Sequence, residues 1–147
     1  MAPTAGIVAA QTIGSEISMQ GITTSWADVG NLTIGTEDME SLFSNIQTQI
    51  RYYRGATYPI TLVIRARLRH GSDYYPHSDG IPYSLLEADI QANNPECIPL
   101  SWFVTVPKNM SGETIYLQMK IDSLGEGTMT LRRCYVTVWG HSPHTHR

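Results

Sequence analysis

The chain has 147 residues, 41% of them hydrophobic and 16% charged, with a formal net charge of −3. That is most simply one domain with enough apolar content for a core, and its charge offers nothing for a nucleic acid or an anionic membrane surface to hold. No apolar run approaches ~20 residues, so no transmembrane helix is expected; the short apolar run at 6–10 has no basic segment before it, so no signal peptide is expected.

Residues 1–12 are small and uncharged, without a sustained period. They are expected to form an N-terminal arm, either disordered or ordered against a neighbouring subunit. Ile7 and Val8 are apolar enough to add as a strand to another sheet's open edge. Residues 13–140 are expected to form a single β-sandwich domain, and 141–147 a His-rich tail. Weak alternation through Ile13, Ser15, Ile17 and Met19 suggests an edge strand. Residues 22–34 carry Trp26, Val29, Leu32 and Ile34 about Gly30-Asn31, and predict two short strands around a turn.

The stretch 36–51 differs. Met39, Leu42, Phe43, Ile46 and Ile50 recur at three- and four-residue steps, which predicts a helix. Thr36 serves as a candidate N-cap, and Glu37, Asp38 and Glu40 sit where the helix dipole favours negative charge. The alternative is a helix ending near Asn45 and a strand over 48–53.

Residues 57–69 read as a strand with Tyr58, Ile60, Leu62, Ile64, Ala66 and Leu68 on one face and Arg65, Arg67 and Arg69 on the other. The arginine row is a candidate oligomer contact, able to pair with carboxylates across a subunit boundary; the plainer alternative is a solvated face paired to acidic neighbours. Residues 70–84 are expected as a long loop, in which Tyr74, Tyr75 and His77 are candidate ligand-binding groups. Residues 81–92 fit a strand or a short helix, and Asn93-Asn94-Pro95 a turn.

Residues 98–139 hold three strand-like runs. Ile98, Leu100, Trp102, Val104 and Val106 alternate in the first; Ile115, Leu117, Met119 and Ile121 alternate in the second. The third runs over 128–139. Its apolar set slips between Leu131 and Cys134, and a β-bulge near Arg132 and Arg133 would restore the period. Otherwise both faces are covered, with Tyr135 and Trp139 packing on a partner subunit. Residues 122–127 predict a hairpin between the second and third strands.

Searches for chemistry return little. No phosphate loop, dinucleotide fingerprint, nucleophile elbow or metalloprotease motif is present, so a non-enzymatic protein without cofactor is expected. Glu87 and Asp89 would share a strand face as a carboxylate pair. A small hydrolase or isomerase would draw on His70, His77 and Asp73 or Asp79. His144 and His146 are candidate metal ligands, against an unstructured tail. Cys97 and Cys134 are expected as reduced thiols, and the sequons at Asn31 and Asn109 as chance matches.

At Gly112-Glu113-Thr114-Ile115-Tyr116-Leu117-Gln118, Gly127-Thr128-Met129-Thr130-Leu131 and Tyr135-Val136-Thr137-Val138-Trp139 the chain resembles the final strands of a jelly roll. Such ends are found in bacteriophage head-decoration and fibre proteins and in tumour-necrosis-factor-like trimers. Residues 23–29 resemble the opening strand of such domains. The resemblance implies a mostly β protein, an antiparallel β-sandwich of jelly-roll type, here with one helix. It further implies a homotrimeric virion component that meets a major capsid protein or another virion protein. The alternative is a carbohydrate-binding module with Tyr74, Tyr75 and Trp102 as stacking residues.

Overall fold

The computed structural model describes residues 5–13, 17–18, 25–53, 56, 62–92, 98–122 and 128–141. Ten strands and one short helix follow in the order β1 (Ala5–Ile13), β2 (Ile17–Ser18), β3 (Ala27–Thr33), β4 (Ser41–Tyr53), β5 (Val63–His70), β6 (Asp73–Tyr75), β7 (Ile81–Ser84), α1 (Glu87–Ala92), β8 (Ile98–Val106), β9 (Thr114–Ile121) and β10 (Thr128–His141). One sheet, called A here, has the order β1-β10-β4-β8, with β2 also on β10; the other, B, has β3-β9-β5-β6, with β7 also on β5.

The pairing identifies the topology. The first two strands pair with the last (β1 and β2 with β10), the third with the next to last (β3 with β9), and so inward through β4 with β8 to β5 with β6 and β7. This is one long antiparallel ladder rolled into two sheets. It closes where β10 meets β4 and β9 meets β5. The protein is an antiparallel β-sandwich of jelly-roll type.

Period-two alternation places the core. Ile64, Ala66 and Leu68 of β5 and Ile115, Leu117, Met119 and Ile121 of β9 point inward from sheet B, and Trp102, Val104 and Val106 of β8 and Cys134, Val136 and Val138 of β10 from sheet A; all are buried. The expected bulge is present: the β10–β4 register shifts between Arg132 and Tyr135, and Arg133 takes φ 44.

The helix expected over 36–51 does not form. Residues Ser41–Tyr53 are β4, the longest strand but one, held on both sides by β10 and β8. Its inward set is Leu42, Ser44, Ile46, Thr48, Ile50 and Tyr52, all at most 3% exposed. Ser44 and Thr48 hide the period of two, and Phe43, which helical spacing assigns to the apolar stripe, points to the opposite side. The helix found among the described residues is α1, anchored by Ile90 and preceded by buried Leu85.

Other expectations shift in smaller ways. Residues Ala5–Ile13 are not an arm; they are β1, paired along their length with the chain's own β10. Residues 27–33 form one strand, and Gly30 marks a bulge after Asp28, not a turn. The loop at 70–84 is divided by β6 and β7, with Gly71 at φ 60 opening the tight turn between β5 and β6. The link at 122–127 joins strands of opposite sheets, so it is no hairpin; its residues 123–127 lie outside the described set, as do 57–61, Asn93-Asn94-Pro95, Cys97, His144 and His146. Gly80 has φ +68, and a Cβ there would sit 2.6 Å from the Trp26 ring and 2.7 Å from the Ala66 carbonyl oxygen. Only glycine lets that turn close against Trp26.

Candidate interaction surface

Alternation that buries one side of sheet A fixes what the other side shows. Cross-strand register builds it in rows. Ile7 lies opposite Trp139, Trp139 opposite Phe43, and Phe43 opposite Thr105. The next row is Ala10, Thr137, Asn45 and Phe103, and the third Thr12, Tyr135, Gln47 and Ser101. No residue of these rows is charged. Phe43 stacks on Phe103 with ring centroids 5.7 Å apart and an interplanar angle of 18°, and meets Trp139 at 5.9 Å. Ile7 is 65% exposed, Phe103 57%, Phe43 44% and Tyr135 42%. One edge of this sheet is β8, nine residues without a charge and with Pro99 as a blunting device.

At the far end of the same face the β10 bulge opens a cleft of ≈ 290 Å³ lined by Gln47, Gln49, Pro99, Ser101, Arg133 and Tyr135, with Thr48 and Leu100 beneath. The left-handed backbone at Arg133 costs an L residue about 1–2 kcal/mol.

The outer face of sheet B is of the opposite kind. Arg65, Arg67 and Arg69 do share it, and each is engaged within the chain. The Nε of Arg65 donates to Asp122 at 3.0 Å, and that hydrogen bond holds the guanidinium above its ordinary pKa. Arg67 is 7% exposed. Its guanidinium lies between the rings of Trp26 and Tyr74, 4.0 and 3.9 Å from their centroids. It donates to Gln118 Oε1 at 2.8 Å and to the Ser78 carbonyl, and Gln118 in turn donates to Asp28. Burial lowers the Arg67 pKa. Arg69 stacks over Tyr116 at 4.5 Å and donates to the Gly71 carbonyl. This is a polar face that satisfies itself, and Arg67 is part of its internal structure.

The candidate ligand groups of 70–84 are likewise engaged. Tyr74 is covered by Arg67, Tyr75 packs against the core, and His77 Nδ1 accepts the backbone N–H of Asp79. His70 pairs with Glu113 at 3.3 Å. Trp102, expected as a stacking residue, is 2% exposed and meets Tyr83 edge-on inside the sandwich. Glu87 and Asp89 fall in α1, where residues two apart do not share a face. Tyr135 and Trp139 do share the outer face of sheet A, as their spacing requires. Phe43 and Phe103 beside them were missed, and Ile7, expected to add to another sheet's edge, lies on this face opposite Trp139. Phe103 was legible as the one large apolar residue out of phase in β8; Phe43 was hidden by the helical spacing. Among the described residues no His, Cys, Asp and Glu form a group able to hold a metal ion, and no helix is long and apolar enough to cross a membrane.

No protein-family model and no curated protein matches the chain. Among solved structures it is similar to a carbohydrate-binding module from Cellvibrio mixtus lichenase 5A in complex with cellotriose. There the identity is 10% and the TM-score 0.44, over 96% of this chain and 100% of that one. It is similar to the TNF Eiger from S. frugiperda at 8% identity and TM-score 0.44, over 96% of each chain. It is also similar to a chain of Sacbrood virus of honeybee at 10% identity and TM-score 0.31, over 98% of this chain and 74% of that one. With such identities and TM-scores below 0.5, none of the three assigns a function, a ligand or a partner to this chain.

Proposed function

We propose that the chain is a non-enzymatic structural protein of a bacteriophage virion. It is a homotrimeric capsid decoration (cement) or fibre subunit that stabilises or decorates the particle against a major capsid protein. The observation that carries the assembly is the outer face of sheet A. Aromatic enrichment and depletion of charge are the marks of an interface centre, and a second copy meets this face without like-charge repulsion. Four strands about 4.8 Å apart and nine residues long at about 3.3 Å each give a face of roughly 570 Å². Covering it with an equal area of the neighbouring copy removes roughly 1,100 Å² from water at each subunit boundary, at the size a specific interface needs. The resemblance of residues 112–139 to the ends of phage jelly rolls supports placement in a virion.

Sedimentation of the full chain tests the assembly. The expected result is a trimer at micromolar concentration, and a folded monomer for Phe43→Asp combined with Phe103→Asp. A monomeric parent chain refutes it. Mass spectrometry of purified particles tests the location, and particles that lack the chain refute that part alone.

A further inference from the structure

We infer that the cleft at the β10 bulge is a binding site for a carboxylate-bearing sugar, of the uronic or sialic acid class. This goes beyond assembly: the cleft begins at Gln47, Ser101 and Tyr135 of the third row and runs from there toward Gln49, Pro99 and Arg133, away from the Ile7, Trp139 and Phe43 stripe.

The backbone supplies the first reason. Arg133 stands at φ 44, a conformation that glycine adopts freely and that strains an L residue. A bulge re-aims one side chain, and here the side chain it presents is a guanidinium, exposed on the outer face. No salt bridge among the described residues involves it. The backbone at this position favours glycine, yet an exposed arginine stands there and lines the cleft. A backbone outlier of this kind points toward function.

The lining supplies the second reason, and it selects the ligand. Gln47 and Gln49 stand two residues apart on β4 and so face the same way. Ser101 is directly opposite Gln47 on β8, and Tyr135 opposite it on β10. Two amides and a hydroxyl both donate and accept, which matches the vicinal hydroxyls of a sugar ring. The Tyr135 ring, 42% exposed, offers an apolar face to the ring's C–H bonds and keeps its own hydroxyl in water. The guanidinium fork of Arg133 fits a carboxylate through two parallel hydrogen bonds, which a neutral sugar cannot supply. Among the described residues no acidic side chain lines the cleft, so none of them repels an anion. A volume of ≈ 290 Å³ lies at the lower limit of ligand sites, about 300 Å³, which suits one terminal sugar residue and not an extended chain.

The test titrates the full chain with trigalacturonate and with maltotriose, following backbone amide shifts and heat. The expected result is binding of trigalacturonate at least about tenfold tighter than of maltotriose. Arg133→Gly is then expected to lose about tenfold or more in affinity while its melting temperature stays equal or rises, because glycine relieves the strained bulge. Tyr135→Ala is expected to weaken both sugars with the bulge unchanged. If Arg133→Gly fails to fold, Arg133→Asn, which tolerates the same backbone, gives the same reading. Absence of binding by the parent chain, equal affinity for the two trisaccharides, or full affinity in the arginine variant overturns the inference. Sedimentation of the same samples reports assembly separately, so either result stands whatever the other is.

Discussion

Replacing Arg67 by alanine tests whether the arginine row is a contact surface or part of the fold. The guanidinium donates to Gln118 Oε1 at 2.8 Å and to the Ser78 carbonyl, and hydrogen bonds to charged groups contribute about 1.5–3 kcal/mol each. Stacking between Trp26 and Tyr74 adds about 0.5–1 kcal/mol for each ring. These contributions are coupled and do not sum, and water reaches part of the vacated site. A net loss of about 3 kcal/mol follows, or a fall of roughly 10 °C in melting temperature at about 2–4 °C per kcal/mol. Arg65→Ala on the same strand face removes only a partly exposed ion pair with Asp122, whose side chains are 27% and 37% exposed, so a cost of about 1 kcal/mol or less is expected. Arg67→Lys should fall between, since an ammonium keeps the charge and loses the plane that stacks. Thermal denaturation by circular dichroism reads all three, and sedimentation reads the oligomer. If Arg67→Ala costs no more than Arg65→Ala, the reasoning from the Trp26–Arg67–Tyr74 stack is wrong. If Arg65→Ala dissociates the oligomer while leaving the fold intact, the arginine row is an interface after all.

Cys134 is a buried free thiol, and burial pushes its pKa from 9.0 up to about 12. The folded chain therefore keeps a proton that the unfolded chain releases, so stability is full below pH about 9 and falls as pH rises toward about 12. At pH ~10.5 the loss is roughly 2 kcal/mol. It should appear as the difference between the parent and Cys134→Ala in urea titrations across that window, and parallel pH curves for the two would refute it. Deleting residues 1–11 removes most of β1 and leaves β10 with only β2 and the end of β1 on that side. A lower urea midpoint and a tendency to aggregate are expected, and an unchanged midpoint would show that β1 contributes nothing to the sheet.

The chain's own pattern determined an all-β framework. Period two is written plainly wherever inward positions are apolar, as in Ile64, Ala66 and Leu68 or Ile115, Leu117, Met119 and Ile121, because one face of each strand must leave water. The bulge at Arg133 was legible for the same reason: a two-residue period cannot slip from Leu131 to Cys134 without an extra residue. Where that rule is relaxed, local reading failed. β4 turns Ser44 and Thr48 inward among its apolar residues, so the period of two is interrupted and the remaining apolar residues fall at helical steps. Tertiary structure decided three further matters that no local pattern holds. Residues Ala5–Ile13 are plain enough to be an arm, and only the open edge of β10, the last strand of the chain, makes them a strand. Arg65, Arg67 and Arg69 are equivalent in sequence and differ in burial, because the β6 turn brings Tyr74 and Ser78 over the middle one alone. Ile7, Phe43, Phe103 and Trp139 are scattered along the chain. They form one aromatic face because first-to-last strand pairing places them in adjacent rows, and that register depends on contacts between residues far apart in sequence.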